Sequence, residues 1–283
     1  MHIYYINGQY KHKEESFISV EDRGFNFSDG VYEVVSFDNF NIINKEKHFL
    51  RLKRSLSELK IENPFYNFKS LEIILKRLMK INKQNNGFIY LQITRGTSPR
   101  NHQFPKKSNP NIVIFCFPKK DFNLLRNGVS IGLSKDLRWN RCDIKSISLL
   151  PNLLEKQKAV ELGYYEIWQT RENFVTEGST SNAFIVNSDK TILTHPSNNL
   201  ILGGVTRDCV IEIALKNKIP IKEKAFTIKD LNGCNEAFLS STTAGVLPVI
   251  KVNNKVIKEG KTGEITKKLM KLYKNFITDQ LNE

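Results

Sequence analysis

A lysine attacks a carbonyl only as the free amine, and its unperturbed pKa of about 10.4 keeps that form scarce at neutral pH unless cations or burial lower it. Lys145 ends the run Asp136-Leu137-Arg138-Trp139-Asn140-Arg141-Cys142-Asp143-Ile144-Lys145-Ser146, with Arg138 and Arg141 close in sequence. It is the candidate reactive amine, set against the plain reading of a solvated surface lysine. Further on, Thr176-Glu177-Gly178-Ser179-Thr180-Ser181-Asn182 holds a carboxylate in a small, hydroxyl-rich turn ahead of an apolar strand. That is either an ordinary solvent-facing turn or a carboxylate placed to keep a ring nitrogen protonated. Leu202-Gly203-Gly204-Val205-Thr206 then runs into a helix. Glycines there let backbone N–H groups and the positive helix end approach an anion, although a plain turn reads the same way. Ser240-Ser241-Thr242-Thr243 offers similar donors after a strand, and with Arg51 three segments could serve one phosphate.

Other chemistries fit less well. The five histidines show no HExxH-like spacing, and Gly178-Ser179 is not part of a GxSxG elbow, so neither a metal nor a serine hydrolase is expected. Cys116, Cys142, Cys209 and Cys234 form no CxxC pair and read as small buried apolar residues. A formal charge of +14 suggests nucleic acid, but Lys106-Lys107, Lys119-Lys120 and Lys267-Lys268 are short, scattered and not interleaved with aromatics. Solvated surface is the better reading of that charge. No apolar run of about 18 residues occurs, and Met1-His2-Ile3-Tyr4-Tyr5 lacks a signal-peptide pattern, so a cytoplasmic location is the expectation.

Ile3 to Ile6 and Tyr10 flank Asn7-Gly8, which predicts a hairpin with a type I′ turn. A second extended segment is expected from Phe17 toward Val20, then two turns relieved of backbone strain by Gly24 and Gly30, then a strand from Val31 to Phe37. Phe49, Leu52, Leu56 and Leu59 make one helical face, with His48 and Arg51 projecting as neighbours. A helix over Leu71 to Ile81 and strands Phe88 to Thr94 and Asn111 to Phe117 follow, separated by a long connection from Arg95 to Pro105. A connection of that length is more often functional than idle. After a polar linker, strands outnumber helices, the latter expected near Leu153 to Leu162, Thr206 to Lys216 and Ile265 to Leu281. The expected organisation is α+β: an α/β domain over 1–118, a linker over 119–127 and a β-rich domain over 128–283.

These segments, in order, resemble the fold-type IV pyridoxal-phosphate aminotransferases, and are most similar to the branch acting on D-amino acids. The likeness rests on Glu21-Asp22-Arg23-Gly24, Asp29-Gly30-Val31-Tyr32-Glu33, His48-Phe49-Leu50-Arg51-Leu52, Arg95 to Pro105, Cys142-Asp143-Ile144-Lys145-Ser146, Thr176 to Asn182, Gly204-Val205-Thr206-Arg207-Asp208 and Ser241-Thr242-Thr243. It implies a β-rich pseudo-barrel as the cofactor domain, with pyridoxal 5′-phosphate as the cofactor. In it Lys145 is the covalent anchor and general acid/base, which replaces activation by nearby arginines. Glu177 then pairs with the pyridine nitrogen; Arg51, Val205, Thr206 and Thr242 bind the phosphate; and Ser241 and Leu202 flank the ring. Tyr32, Arg100 and His102 match residues that bind the substrate carboxylate, the last two reaching in from the partner of a homodimer. The alternatives are an L-branched-chain aminotransferase or an aminodeoxychorismate lyase, which share the cofactor residues but not Tyr32, Arg100 and His102. One stretch departs from the pattern: Ser241-Thr242-Thr243-Ala244-Gly245 stands where Ser-Thr-Thr-Ser-Glu is common, which leaves the accepted side chains open.

Overall fold

The computed structural model describes residues 2–119 and 127–282. The chain divides into two compact units, Met1–Lys120 with Ile144–Ser148 and Gln280–Glu283, and Asp121–Asp143 with Leu149–Asp279. Residues 120–126 of the expected linker lie outside the described residues. Two pieces expected in the later domain, the segment around Lys145 and the C-terminal end, belong instead to the first unit.

The first unit opens on the hairpin β1 (Ile3–Ile6) and β2 (Gln9–His12), with positive φ at both Asn7 and Gly8 as a type I′ turn requires. Residues 17–20 form no strand, because Phe17 and Val20 are both 78% exposed and have no sheet to join. A short helix, α1 (Arg23–Phe27), follows, capped by Asp22 Oδ1 accepting from Phe25 N at 3.1 Å. Gly24 and Gly30 are absent from the positive-φ positions. They are needed for space: a Cβ at Gly24 would lie 2.3 Å from Thr94 Cγ2, and one at Gly30 2.7 Å from Ile93 O.

Strands β3 (Gly30–Asp38), β4 (Asn41–Ile42), β5 (Asn86–Thr94) and β6 (Asn111–Phe117) complete an antiparallel sheet of order β2-β1-β6-β5-β3-β4. Along β3, Val31, Glu33, Val35 and Phe37 alternate inward. Helices α2 (Lys45–Glu58) and α3 (Phe68–Ile81) bury Phe49, Leu52, Leu56, Leu71, Leu75 and Leu78 in one core with Ile89, Leu91 and Ile93. Each such side chain contributes about 1.5–3 kcal/mol on burial.

The second unit contains β7 (Val129–Lys135), α4 (Leu150–Glu161), β8 (Glu166–Arg171), β9 (Phe174–Gly178), β10 (Asn182–Val186), β11 (Ile192–Thr194), α5 (Val205–Lys216), β12 (Ile221–Glu223), α6 (Ile228–Gly233), β13 (Glu236–Ser241), β14 (Gly245–Val252), β15 (Lys255–Val256) and α7 (Glu264–Asn282), whose last residues fall in the first unit. Nine strands form one sheet in the order β12-β11-β10-β13-β14-β7-β8-β9, with β15 on β14. The pairs β11/β12, β14/β7 and β7/β8 are parallel and the remainder antiparallel. The Gly178 N–H donates to Ser181 O, drawing β9 toward β10, and the sheet curls into a half-barrel. One core gathers Ile131, Trp168, Val175, Leu239 and Leu247; another gathers Phe184, Val210, Phe238 and Leu269. Strand β9 was not foreseen, and it moves Glu177 from the expected turn to the end of a strand. All four cysteines are buried and free. Among the described residues no helix is long and apolar enough to cross a membrane.

Candidate active site

In the first unit, Lys145 is fixed through its backbone. Its carbonyl accepts from Tyr32 N at 3.0 Å, its N–H donates to Ser55 Oγ at 3.2 Å, and Ser146 bridges Val31. Ile147 N donates to Gly30 O at 3.0 Å, so residues 144–147 run as an added edge along the start of β3. The Lys145 ammonium nitrogen stands 4.2 Å from the centre of the Tyr32 ring. Arg138 and Arg141, in the second unit, are matched by Asp136 and Asp143.

Arg51 and His48, one helical turn apart on α2, both reach Glu33 on β3. Arg51 grips the carboxylate with two bonds, Nε to Oε1 at 2.7 Å and Nη2 to Oε2 at 2.8 Å, and His48 Nδ1 lies 2.9 Å from Oε2. Burial alone would raise the Glu33 carboxyl, but Arg51 and His48 overcome it and hold it down at about 2. Burial lowers His48 despite Glu33, with the Arg51 and Lys145 cations adding to the fall. An ionised carboxylate only accepts, so Nδ1 carries the histidine proton. The sequence alone indicates no role for Glu33. The available signal was a lone carboxylate among the inward positions Val31, Val35 and Phe37.

Tyr32 stacks on Tyr90 with ring centres 5.8 Å apart. Arg100 and His102, both exposed, gather on one aromatic residue: the Arg100 guanidinium is 5.0 Å from the Phe27 ring and the His102 ring 5.4 Å from it. Their loop is tied down by Arg23, which donates to Asn101 O at 2.6 Å and to Asp29 at 2.9 Å.

In the second unit, Glu177 accepts from Asn182 Nδ2 at 2.9 Å, from Leu202 N at 3.0 and 3.1 Å, and from Arg138 Nη1. A carboxylate offers about four acceptor positions, so these three donors leave capacity for one more. Burial raises the Glu177 carboxyl, with Arg138 and the Leu202 amide pulling against it. Arg138 is itself shared, since Nε and Nη2 hold Asp136 at 3.0 and 2.8 Å. Leu202, expected beside a ring, thus also serves through its backbone. Arg138 and Asn182 were not assigned to Glu177 from the sequence, because contacts 39 and 5 residues apart leave no periodic trace.

Helix α5 starts at Val205 and Thr206 behind Gly204, which provides no side-chain cap. The first-turn N–H groups therefore keep their capacity for an anion. A Cβ at Gly204 would strike Asn182 Oδ1, so the close approach admits only glycine. Ser241 Oγ accepts from Ala244 N at 3.1 Å and lies 3.3 Å from Thr243 Oγ1, shaping the turn that carries Thr242. Among the described residues the buried hydroxyls of Ser179 and Ser240 have no partner. An uncapped helix end and a glycine without room for a side chain fit a phosphate ester, and Glu177 with spare acceptor capacity fits a protonated pyridine.

The Amino-transferase class IV family matches residues 30–252, and the chain belongs to it. Enzymes of this class work with pyridoxal 5′-phosphate. Within the class, the chain is 39% identical over 278 residues to the D-alanine aminotransferase of Staphylococcus haemolyticus, covering 96% of this chain and 97% of the relative. It is 38% identical over 276 residues to that of Bacillus licheniformis, covering 97% of each. In fold it is similar to the branched-chain amino acid aminotransferase of Escherichia coli, with a TM-score of 0.90 at 22% identity over 98% of this chain and 95% of the other. The branched-chain aminotransferase of Thermoproteus uzoniensis gives 0.88 at 24%, over 98% and 95%.

Proposed function

We propose that this chain is a D-amino acid transaminase that moves an amino group between D-alanine or D-glutamate and a 2-oxo acid such as 2-oxoglutarate or pyruvate. The observation that carries this reading is the likeness to D-alanine aminotransferases over nearly the whole of both chains. Pyridoxal phosphate, when bound, supplies the electron sink for the carbanion formed at the substrate α-carbon. Lys145 Nζ is the covalent anchor and carries the proton to and from that carbon. Glu177 accepts from the ring N–H, and Leu202 and Ser241 flank the ring. Arg51, Val205, Thr206 and Thr242 bind the phosphate, Arg51 being aimed by Glu33.

Tyr32, Arg100 and His102 bind the substrate carboxylate, which fixes the face of the α-carbon that reacts. The reading makes the enzyme a homodimer in which Arg100 and His102 serve the partner's substrate. Exposed apolar residues favour such an interface: Phe17, Val20 and Phe25 in the first unit, and Leu150, Leu153 and Leu154 in the second. The product would feed D-alanine or D-glutamate into peptidoglycan precursors in the cytoplasm. The deciding assay offers D-alanine and L-leucine separately as amino donors to 2-oxoglutarate. D-alanine is expected to react and L-leucine not, whereas the reverse preference would replace this reading with the branched-chain one.

A further inference from the structure

The motif Glu21-Asp22-Arg23-Gly24 supplies none of the assigned ligands, yet it holds both the root and the tip of the connection that carries Arg100 and His102. At the root the backbones pair: Arg23 N donates to Gly96 O at 2.9 Å, and Ser98 N to Glu21 O at 3.3 Å. The buried Asp22 carboxylate accepts from Thr94 Oγ1 at 2.5 Å and from Asn111 Nδ2 at 2.7 Å, the residues where β5 ends and β6 begins. At the tip, Arg23 Nη1 donates to Asn101 O at 2.6 Å and to Gln103 O at 3.3 Å, the carbonyls on either side of His102.

Arg23 is itself fixed by a shared carboxylate. Asp29 Oδ2 accepts from Arg23 Nε at 2.9 Å and from Arg95 Nε at 2.7 Å, and Asp29 Oδ1 accepts from Arg95 Nη2 at 2.9 Å. Arg95 continues to Lys60 O and Leu59 O, at 2.9 and 2.7 Å, at the C-terminal end of α2. The Phe104 ring lies 3.5 Å from the Arg95 guanidinium and 5.8 Å from that of Arg23. Arg23 also stands 4.8 Å from the Phe27 ring, the ring that Arg100 and His102 approach. Both Arg23 and Arg95 are buried, whereas residues 99–104 are exposed, so polar ties rather than apolar burial fix the loop.

We propose that Arg23, clamped by the carboxylate it shares with Arg95, is a positioning residue that sets where Arg100 and His102 meet the substrate carboxylate. This rests on the reading of Arg100 and His102 as carboxylate ligands. A guanidinium suits the task, because its planar fork serves Asp29 from one nitrogen and two carbonyls from another, whereas an ammonium places all its donors on one atom. Because Arg95 closes the end of the helix that bears Arg51, the loop is placed against that helix as well as against α1.

The test compares holoenzymes in transfer from D-alanine to 2-oxoglutarate, with trypsin cleavage after Arg100 as a readout that does not depend on turnover. Arg23→Lys is expected to raise KM for D-alanine about tenfold, the size of one charge-assisted hydrogen bond, with kcat changed less than about twofold and faster cleavage. Phe104→Leu, at an exposed position where folding is less at risk, should raise KM about threefold. Both apo variants should bind pyridoxal phosphate as the parent does. On an Arg100→Met background, Arg23→Lys should raise KM by less than the product of the two separate effects. Parent-like KM in both Arg23→Lys and Phe104→Leu would overturn the proposal, as would multiplicative effects or a loss of pyridoxal phosphate affinity as large as the change in KM. Parent-like KM in Arg100→Met would instead overturn the reading of the loop as a carboxylate site, and the proposal with it.

Discussion

Replacing Glu33 with glutamine removes one charge and almost no volume from the first unit. Glu33 is 1% exposed, and Arg51, its bidentate partner, has a side chain 11% exposed, so the substitution takes the counter-charge from a nearly buried guanidinium. The fall of the Glu33 carboxyl from 4.5 to about 2 corresponds to about 3 kcal/mol at about 1.4 kcal/mol per pH unit. That agrees with the roughly 3–5 kcal/mol seen when one member of a buried ion pair is removed. The sign follows from linkage: a carboxyl depressed on folding stabilises above its unfolded value and loses that contribution as pH falls through its folded value. Glu33→Gln apoenzyme should therefore unfold with about 3 kcal/mol less free energy than the parent near neutral pH. The gap should narrow below about pH 4.5 and close toward about pH 2. Urea unfolding of both proteins at a series of pH values measures it. A gap that is absent at neutral pH, or that stays constant into acid, refutes the account of Glu33 as the counter-charge that holds Arg51.

Lys145→Ala should abolish transfer from D-alanine to 2-oxoglutarate while leaving the far-ultraviolet circular dichroism unchanged; near-normal turnover would remove the lysine from the chemistry. Arg138→Met should cost about 3 kcal/mol of folding stability near neutral pH, because Asp136 and Glu177 lose a shared cation. It should drive the Glu177 carboxyl further up, since Arg138 is what pulls against burial there. Its penalty should shrink in acid as Glu177 takes a proton, and denaturant unfolding at two pH values checks both statements.

The sequence revealed what local physics determines. Asn7-Gly8 specified a turn whose positive φ angles both appear, and the spacing of Phe49, Leu52 and Leu56 specified the buried face of α2. Strand β6 spans Asn111–Phe117 as the alternation indicates. It concealed what depends on distant neighbours. Residues 17–20 have strand-like composition but no sheet to join. Gly24 and Gly30 looked like points of backbone freedom and are points of close approach, because Thr94 and Ile93 occupy the space beside them. Strand β9 escaped because Thr176, Glu177 and Gly178 are polar or small, and their strand exists through pairing with β8. Among the site residues, Arg51 was legible as a cation on a helix face, but the carboxylate that aims it lies on another element.

Glu33 and Glu177 are both buried carboxylates facing an arginine, yet their proton affinities move in opposite directions. The difference lies in how each arginine is divided. Arg51 gives Glu33 two parallel bonds, and His48 adds a third contact, so attraction exceeds the cost of burial. Arg138 spends Nε and Nη2 on Asp136 and gives Glu177 only Nη1, while Asp136 adds a like charge nearby. Burial then prevails at Glu177. Glu33 is thereby locked as an anion, suited to holding a neighbouring cation in place and nothing else. Glu177 is left short of positive charge, so in the proposed reading a cationic ring N–H would supply what Arg138 withholds.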